Sequence, residues 1–162
     1  MIESFRFSPN VLSRLGEELI PNPDQGIIEL VKNSYDADAT HCSVHLVDTG
    51  DEGGCVTIAD NGVGMTQTDI VNGWLVIGSS GKKARLPTRK FNRLPVGDKG
   101  LGRLAGLRQG SKVVLVTRPE SEPGVEYTVE IDWERYARAA VVEDVLFPVK
   151  KAHSEKPFGT EI

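Results

Sequence analysis

Glu29-Leu-Val-Lys-Asn33-Ser-Tyr-Asp36-Ala-Asp-Ala-Thr40 decides how this chain is read, because it places a carboxylate and a carboxamide one helical turn apart. At about 100° per residue, Glu29, Asn33 and Asp36 fall within about 60° of one another, while Ile27, Leu30, Val31 and Tyr35 spread around the other side. The spacing predicts a mostly buried helix with a narrow polar stripe. A solvated face usually mixes Lys and Glu over its length. Here Glu29 is a potential general base and Asn33 a neutral oxygen donor facing the same space, a pair suited to activating water and holding a cation. Standing alone, the stripe is more simply a half-exposed helix face, so its meaning depends on the motifs elsewhere in the chain.

A second motif begins where the apolar run Cys55-Val-Thr-Ile-Ala ends, continuing Asp60-Asn-Gly62-Val-Gly64-Met65. The run reads as a buried strand that delivers an acceptor-only carboxylate to its end, followed by glycines that let a ligand approach the backbone. The exocyclic amine of a purine is a natural partner for such an acid, although Asp-Asn-Gly is also an ordinary turn sequence. The third motif is Gly97-Asp-Lys99-Gly100-Leu101-Gly102-Arg103-Leu-Ala-Gly106, with a helix-compatible segment after the glycines. Glycines ahead of a helix free successive N–H groups to point at an anion, and the helix dipole adds positive charge. This is a phosphate cradle, but not a Rossmann turn, which needs a preceding strand, and not a Walker A loop, which needs Gly-Lys-Ser/Thr.

In this order and spacing the motifs resemble those of the GHKL superfamily, which comprises gyrase B, histidine kinases, MutL and the ninety-kilodalton heat-shock chaperone. Glu29 to Asp36 looks like its N box, Asp60 to Gly64 its first glycine box and Gly97 to Gly102 its second. Gly159-Thr160-Glu-Ile162 is similar to the Gly-Thr strand that closes the adenine pocket. Within the superfamily, Glu four positions before the metal-binding Asn marks hydrolytic members, so Glu29 points away from the kinases. The N box is similar to that of MutL, and Trp74-Leu-Val-Ile-Gly78-Ser-Ser-Gly-Lys82 is similar to segments of stand-alone prokaryotic ATPases related to the chaperone and to MORC proteins. MutL usually carries Thr-Ser-Lys near Ser79 to Lys82, a departure that weighs against a mismatch-repair role.

The resemblance implies an α+β fold, a two-layer α/β sandwich of the Bergerat type with a mixed, mostly antiparallel sheet and helices on one face. It implies Mg2+-dependent hydrolysis of ATP to ADP and phosphate, driving a conformational or dimerisation cycle. Glu29 becomes the catalytic base and Asn33 the Mg2+ ligand. Asp60 becomes the partner of the adenine amine, with Gly64 and Thr160 completing recognition. The nucleotide contacts extend to Asp36, Gly62, Met65 and Lys82, and the phosphates fall to Lys99, Gly100, Leu101, Gly102 and Arg103. Residues 78–96, with Arg85, Arg89, Lys90 and Arg93 among two prolines, become a mobile ATP lid. In the family a Lys or Arg from a following domain reaches the γ-phosphate. With Ile162 just inside the Gly-Thr strand, the chain is expected to be one ATP-binding domain at the N-terminus of a longer protein, with an ATP-dependent homodimer built through other regions. Two alternatives are a nucleotide-gated binding module with negligible hydrolysis and a histidine-kinase-like phosphotransfer domain.

Composition agrees with this without leading to it. The 162 residues, 39% of them hydrophobic, suffice for one core. A net charge of −4 gives no reason to expect general nucleic-acid affinity. No apolar run is long enough to span a bilayer, and Met1-Ile-Glu-Ser-Phe-Arg lacks a signal peptide's apolar core, making the cytoplasm the expected compartment. Cys42 and Cys55 read as small buried groups. His41 and His45 share one face of a strand while Cys42 points to the other, so the three do not converge on a metal.

Periodicity predicts helices near 10–20, 24–38, 67–76 and 100–108, and strands near 42–48, 55–59, 112–118, 125–132 and 158–162. Val113-Val-Leu-Val-Thr and Val125-Glu-Tyr-Thr-Val-Glu-Ile form the clearest hairpin, turned by Ser121-Glu-Pro123-Gly124.

Overall fold

The computed structural model describes residues 7–9, 11, 14, 18, 22–50, 53–76, 86–97 and 110–162. Helix α1 is Pro23–Asp36, entered from an extended Asn22 with Pro in its first turn and Asp24 at the positive end of its dipole. It stops where Asp38 takes a left-handed backbone (φ 60°), and Ala37, Asp38 and Ala39 donate N–H groups back to the carbonyls of Asn33, Tyr35 and Ser34. Strands β1 (Cys42–Val47) and β2 (Cys55–Asp60) form an antiparallel hairpin in which Cys42 lies opposite Asp60. A one-turn helix α2 (Gln67–Asp69), closed by a Thr66–Asp69 capping box, runs into a π-helical turn, Ile70–Trp74. Strands β3 (Lys112–Arg118) and β4 (Val125–Asp132) pair next, and Asp132 caps the short helix α3 (Trp133–Ala137). Strands β5 (Val149–His153) and β6 (Gly159–Glu161) complete the described chain.

The six strands lie in the order β1-β2-β6-β3-β4-β5, antiparallel at every pairing. This is the expected α+β architecture, at the antiparallel end of the expectation. Alternation places Val113, Leu115, Tyr127, Val129 and Ile131 on one face, where they pack with Ile70 and, at the margin, Met65, Trp74, Trp133 and Phe147. No helix among the described residues is long and apolar enough to cross a membrane.

The predicted hairpin of β3 and β4, the strands expected near 42–48, 55–59 and 158–162, and α1 are present within two residues of their expected bounds. The helix expected at 67–76 is instead a single turn followed by the π-helical turn. Val11, Arg14 and Glu18 are helical within the expected segment 10–20, while the helix expected at 100–108 lies outside the described residues. Strand β5 and helix α3 were not anticipated, because Val149-Lys-Lys-Ala-His153 has one half-buried residue and four exposed ones, and α3 is only five residues long. The expectation of a mostly buried α1 needs correction. Ile28, Val31 and Tyr35 are exposed at 53, 36 and 42%, and the buried positions are Gly26, Leu30 and Ser34. The helix touches the sheet along one narrow edge, over β2, so only residues on that edge lose their solvent.

Candidate functional site

The row of residues crossing the middle of the sheet carries the polar groups of the site. Asp60 on β2 pairs with Thr160 on β6, and Thr160 pairs with Thr117 on β3. Residues opposite one another on antiparallel strands project to the same face with β-carbons about 4.5–5.5 Å apart, so these three side chains form one continuous row. Above it opens a cavity of ≈ 330 Å3, walled by Glu29, Asn33 and Asp36 of α1 and by Gly64, Met65 and Trp74 across from it. That volume lies within the range of small-ligand pockets.

Asp60 is held at both oxygens. The Ser34 hydroxyl donates to Oδ2 at 2.9 Å and the Gly62 N–H donates to Oδ1 at 2.8 Å. Each oxygen keeps a further lone pair for a ligand. Gly62 is buried, and it acts through Asp60 rather than by lining the cavity. Two glycines permit the close approaches that shape this wall. A β-carbon on Gly159 (φ 143°) would sit 2.1 Å from the Asp60 carbonyl oxygen, and one on Gly64 (φ 66°) 2.1 Å from that of Arg118.

Thr160 is buried and lines the cavity; its hydroxyl lies 3.0 Å from that of Thr117. The Thr117 oxygen accepts the Met65 N–H at 2.9 Å, so its own proton is directed to Thr160 or to the Gly159 carbonyl. Donating to Thr160 leaves the Thr160 proton available to the cavity. In that arrangement a carboxylate acceptor and a hydroxyl donor stand side by side at the cavity floor.

The facing helix supplies the other chemistry. The side chain of Asn33 has no hydrogen-bond partner among the described residues, and its Oδ1 would lie 3.7 Å from a β-carbon on Gly97. Glu29 lines the cavity, with Oε1 accepting from Lys32 Nζ at 2.6 Å. Asp36 also lines it, but both its oxygens are engaged, accepting the N–H groups of Val96 at 2.8 Å and Gly97 at 2.9 Å. An amide oxygen that lines the cavity with no partner among the described residues suits a hard cation such as Mg2+, which draws most of its ligands from phosphate and water. Among the described residues no cluster of three His, Cys, Asp or Glu side chains is placed to hold a metal, and His41, Cys42 and His45 do not converge.

The structure therefore brings Glu29, Asn33, Asp36, Asp60, Gly64, Met65 and Thr160 around one space. Lys82, Lys99, Gly100, Leu101, Gly102 and Arg103 lie outside the described residues. Ser34 and Thr117 were missed by sequence reasoning, though each left a trace. Ser34 falls beside Leu30 in the apolar stripe of α1, and Thr117 continues the inward parity of Val113 and Leu115. A polar residue in a core-facing register is the signal.

The family described as histidine kinase-, DNA gyrase B-, and HSP90-like ATPase matches residues 22–158. The chain belongs to this family. Among curated proteins, it is 37% identical over 99 residues to a putative type II restriction enzyme, HgiDII, of Herpetosiphon aurantiacus, covering 61% of this chain and 15% of the relative. It is 35% identical over 105 residues to the DNA mismatch repair protein MutL of Bacteroides fragilis, covering 65% of this chain and 16% of the relative. It is 30% identical over 164 residues to the chaperone protein HtpG of Geobacter metallireducens, covering 89% of this chain and 24% of the relative. The chain thus spans a quarter or less of the length of these relatives. MutL and chaperone likeness were both expected from the N box and from Trp74 to Lys82; the restriction enzyme was not.

Proposed function

We propose that this domain binds ATP with Mg2+ in the cavity and hydrolyses it to ADP and phosphate, within a longer protein that uses the cycle for conformational change or dimerisation. The observation that carries the reading is the Asp60–Thr160–Thr117 row lying across the cavity from Glu29 and Asn33. Adenine presents its exocyclic amine beside the N1 acceptor, which complements a carboxylate next to a hydroxyl. Guanine presents a carbonyl beside an N–H, the reverse order.

In this reading Asn33 donates its amide oxygen to Mg2+, which when bound neutralises phosphate charge. Glu29 orients the attacking water and takes its proton through the oxygen not engaged by Lys32. The new bond forms between that water and the γ-phosphorus. The bond to the β–γ bridging oxygen breaks, and ADP leaves with that oxygen. Lys82 and the backbone of Lys99, Gly100, Leu101, Gly102 and Arg103 are assigned to the phosphates, and Gly64 and Met65 to the edge of the base. A second reading, binding with negligible turnover, draws on the Lys32–Glu29 pair, which engages the proposed base.

Calorimetry of the 162-residue chain with ATP, ADP and GTP, with and without Mg2+, paired with phosphate release, tests both. ATP and ADP binding, weak GTP binding and phosphate release abolished by Glu29→Gln are expected. Binding without release favours the second reading, and no binding of ATP at millimolar concentration would refute both.

A further inference from the structure

Residues 88–97 carry no helix or strand, yet Thr88, Lys90, Phe91, Arg93, Val96 and Gly97 tie them to the C-terminal end of α1 and the residues just after it. Asp38 is the centre of the attachment. It is only 5% exposed, adopts a left-handed backbone, and lines neither the cavity nor the core. Its carboxylate accepts from the Thr88 hydroxyl, from the Lys90 N–H at 2.9 Å and from the Phe91 N–H at 3.3 Å. Burial by itself raises the Asp38 carboxyl, but these donors and the nearby Arg93 guanidinium together hold it below its ordinary value.

Arg93 makes the second attachment. It donates to the carbonyls of Tyr35 at 3.2 Å and Ala39 at 2.7 Å, and its guanidinium lies over the rings of Tyr35 at 4.6 Å and Phe91 at 4.8 Å. The Tyr35 carbonyl lies in the last turn of α1 and also accepts the Asp38 N–H, Ala39 follows three residues past the helix, and a cation there meets the negative end of the dipole. The segment is tightened internally: Arg93 donates its N–H to the Thr88 hydroxyl at 2.9 Å, and Thr88 donates its own N–H to the Arg93 carbonyl at 2.8 Å. Asp36 receives the end of the segment at Val96 and Gly97, which places Gly97 beside Asn33.

We infer that Asp38 and Arg93 are positioning residues for the phosphate side of the cavity. By latching Thr88–Arg93 onto α1, they fix the path by which the chain arrives at Gly97, and with it the first backbone of the second glycine motif. The inference rests on the nucleotide reading above. It distinguishes two halves of one ligand: the base sits on Asp60 and Thr160, neither of which hydrogen-bonds to Asp38 or Arg93, whereas the phosphates lie where Asn33 and Gly97 meet.

Calorimetry with ATP–Mg2+ and with adenosine, on the full chain and on Asp38→Asn, Asp38→Ala and Arg93→Lys, tests it alongside amide exchange. ATP affinity should fall by about tenfold or more in Asp38→Ala, the scale of a lost charged hydrogen bond, with adenosine affinity held within about twofold. Asp38→Asn keeps one acceptor oxygen and should be intermediate. Exchange at the Lys90 and Phe91 amides should quicken in the same order. Equal losses for ATP and adenosine, or unchanged ATP affinity, would overturn the inference. If Asp38→Ala does not fold, Asp38→Asn and Arg93→Lys carry the comparison. A wild-type chain that takes neither ligand refutes the nucleotide reading instead, and quickened exchange confined to residues 88–97 in Asp38→Asn would still establish the latch.

Discussion

The hydroxyl of Ser34 donates to Oδ2 of Asp60 at 2.9 Å, joining the middle of α1 to the end of β2. Cys42, opposite Asp60 in the β1–β2 hairpin, places its thiol 3.4 Å from the same hydroxyl. The helix that carries the proposed hydrolytic pair therefore also orients the carboxylate assigned to the base. Asp60→Ala should weaken ATP and ADP binding by about 1.5–3 kcal/mol, the range for a charged hydrogen bond. Ser34→Ala should produce a smaller loss of the same kind by releasing Oδ2. Calorimetry with ADP measures both, and an unchanged affinity in Asp60→Ala would remove that residue from the site.

Glu29 and Lys32 separate turnover from binding. Glu29→Ala should leave ATP affinity within a few-fold and lower turnover by about 10²–10⁴, the contribution of a general base. The Lys32 partner is 39% exposed, so its ion pair is largely screened. Lys32→Ala should therefore leave the fold intact and hold or raise the rate. Single-turnover phosphate release distinguishes the two, and a Lys32→Ala rate that falls as far as that of Glu29→Ala would mean the pair acts as a unit.

Acid should release the segment held by Asp38. Its carboxyl is lowered from the ordinary 3.8 in the folded chain, so the folded state binds fewer protons than the unfolded state as that group titrates. The contribution of Asp38 to stability is then complete above about 3.8 and declines as pH falls through the lowered folded value. The melting temperature of the wild type should drop more steeply below that point than that of Asp38→Asn, which has no proton to gain. Parallel acid limbs in the two proteins would show that Asp38 adds nothing to acid lability.

The central strands were legible because their period-two pattern is undiluted: Val113, Leu115 and Thr117 face Ile131, Val129 and Tyr127 in turn across the antiparallel pair. Strand β5 was not, since an edge strand with Lys150, Lys151 and His153 exposed carries no hydrophobic alternation. Asp60 and Thr160 were each readable as ends of strands. Their adjacency was not, because β6 inserts between β2 and β3 after a long detour, and nothing local records which strands it separates. The latch shows the same limit. Asp38 sits inside the N-box motif, but its role depends on Thr88, fifty residues downstream in a segment without periodicity.

Thr117 offers the sharpest separation of packing from recognition. It is fully buried, and Thr117→Val preserves its shape while removing the oxygen that accepts the Met65 N–H and meets the Thr160 hydroxyl. Orphaning a fully buried donor costs about 1–3 kcal/mol, and the Met65 N–H is half-buried, so the variant should be less stable by about the lower end of that range. With no hydroxyl beside it, Thr160 is free to turn its proton to another acceptor rather than towards the cavity, and the preference for ATP over GTP should narrow. Thr117→Ser, which keeps the oxygen and loses only a methyl group, should restore most of both. Chemical denaturation and calorimetry with the two nucleotides provide the readouts. A destabilised Thr117→Val that still discriminates as the wild type does would confine Thr117 to packing and leave the choice of base to Asp60.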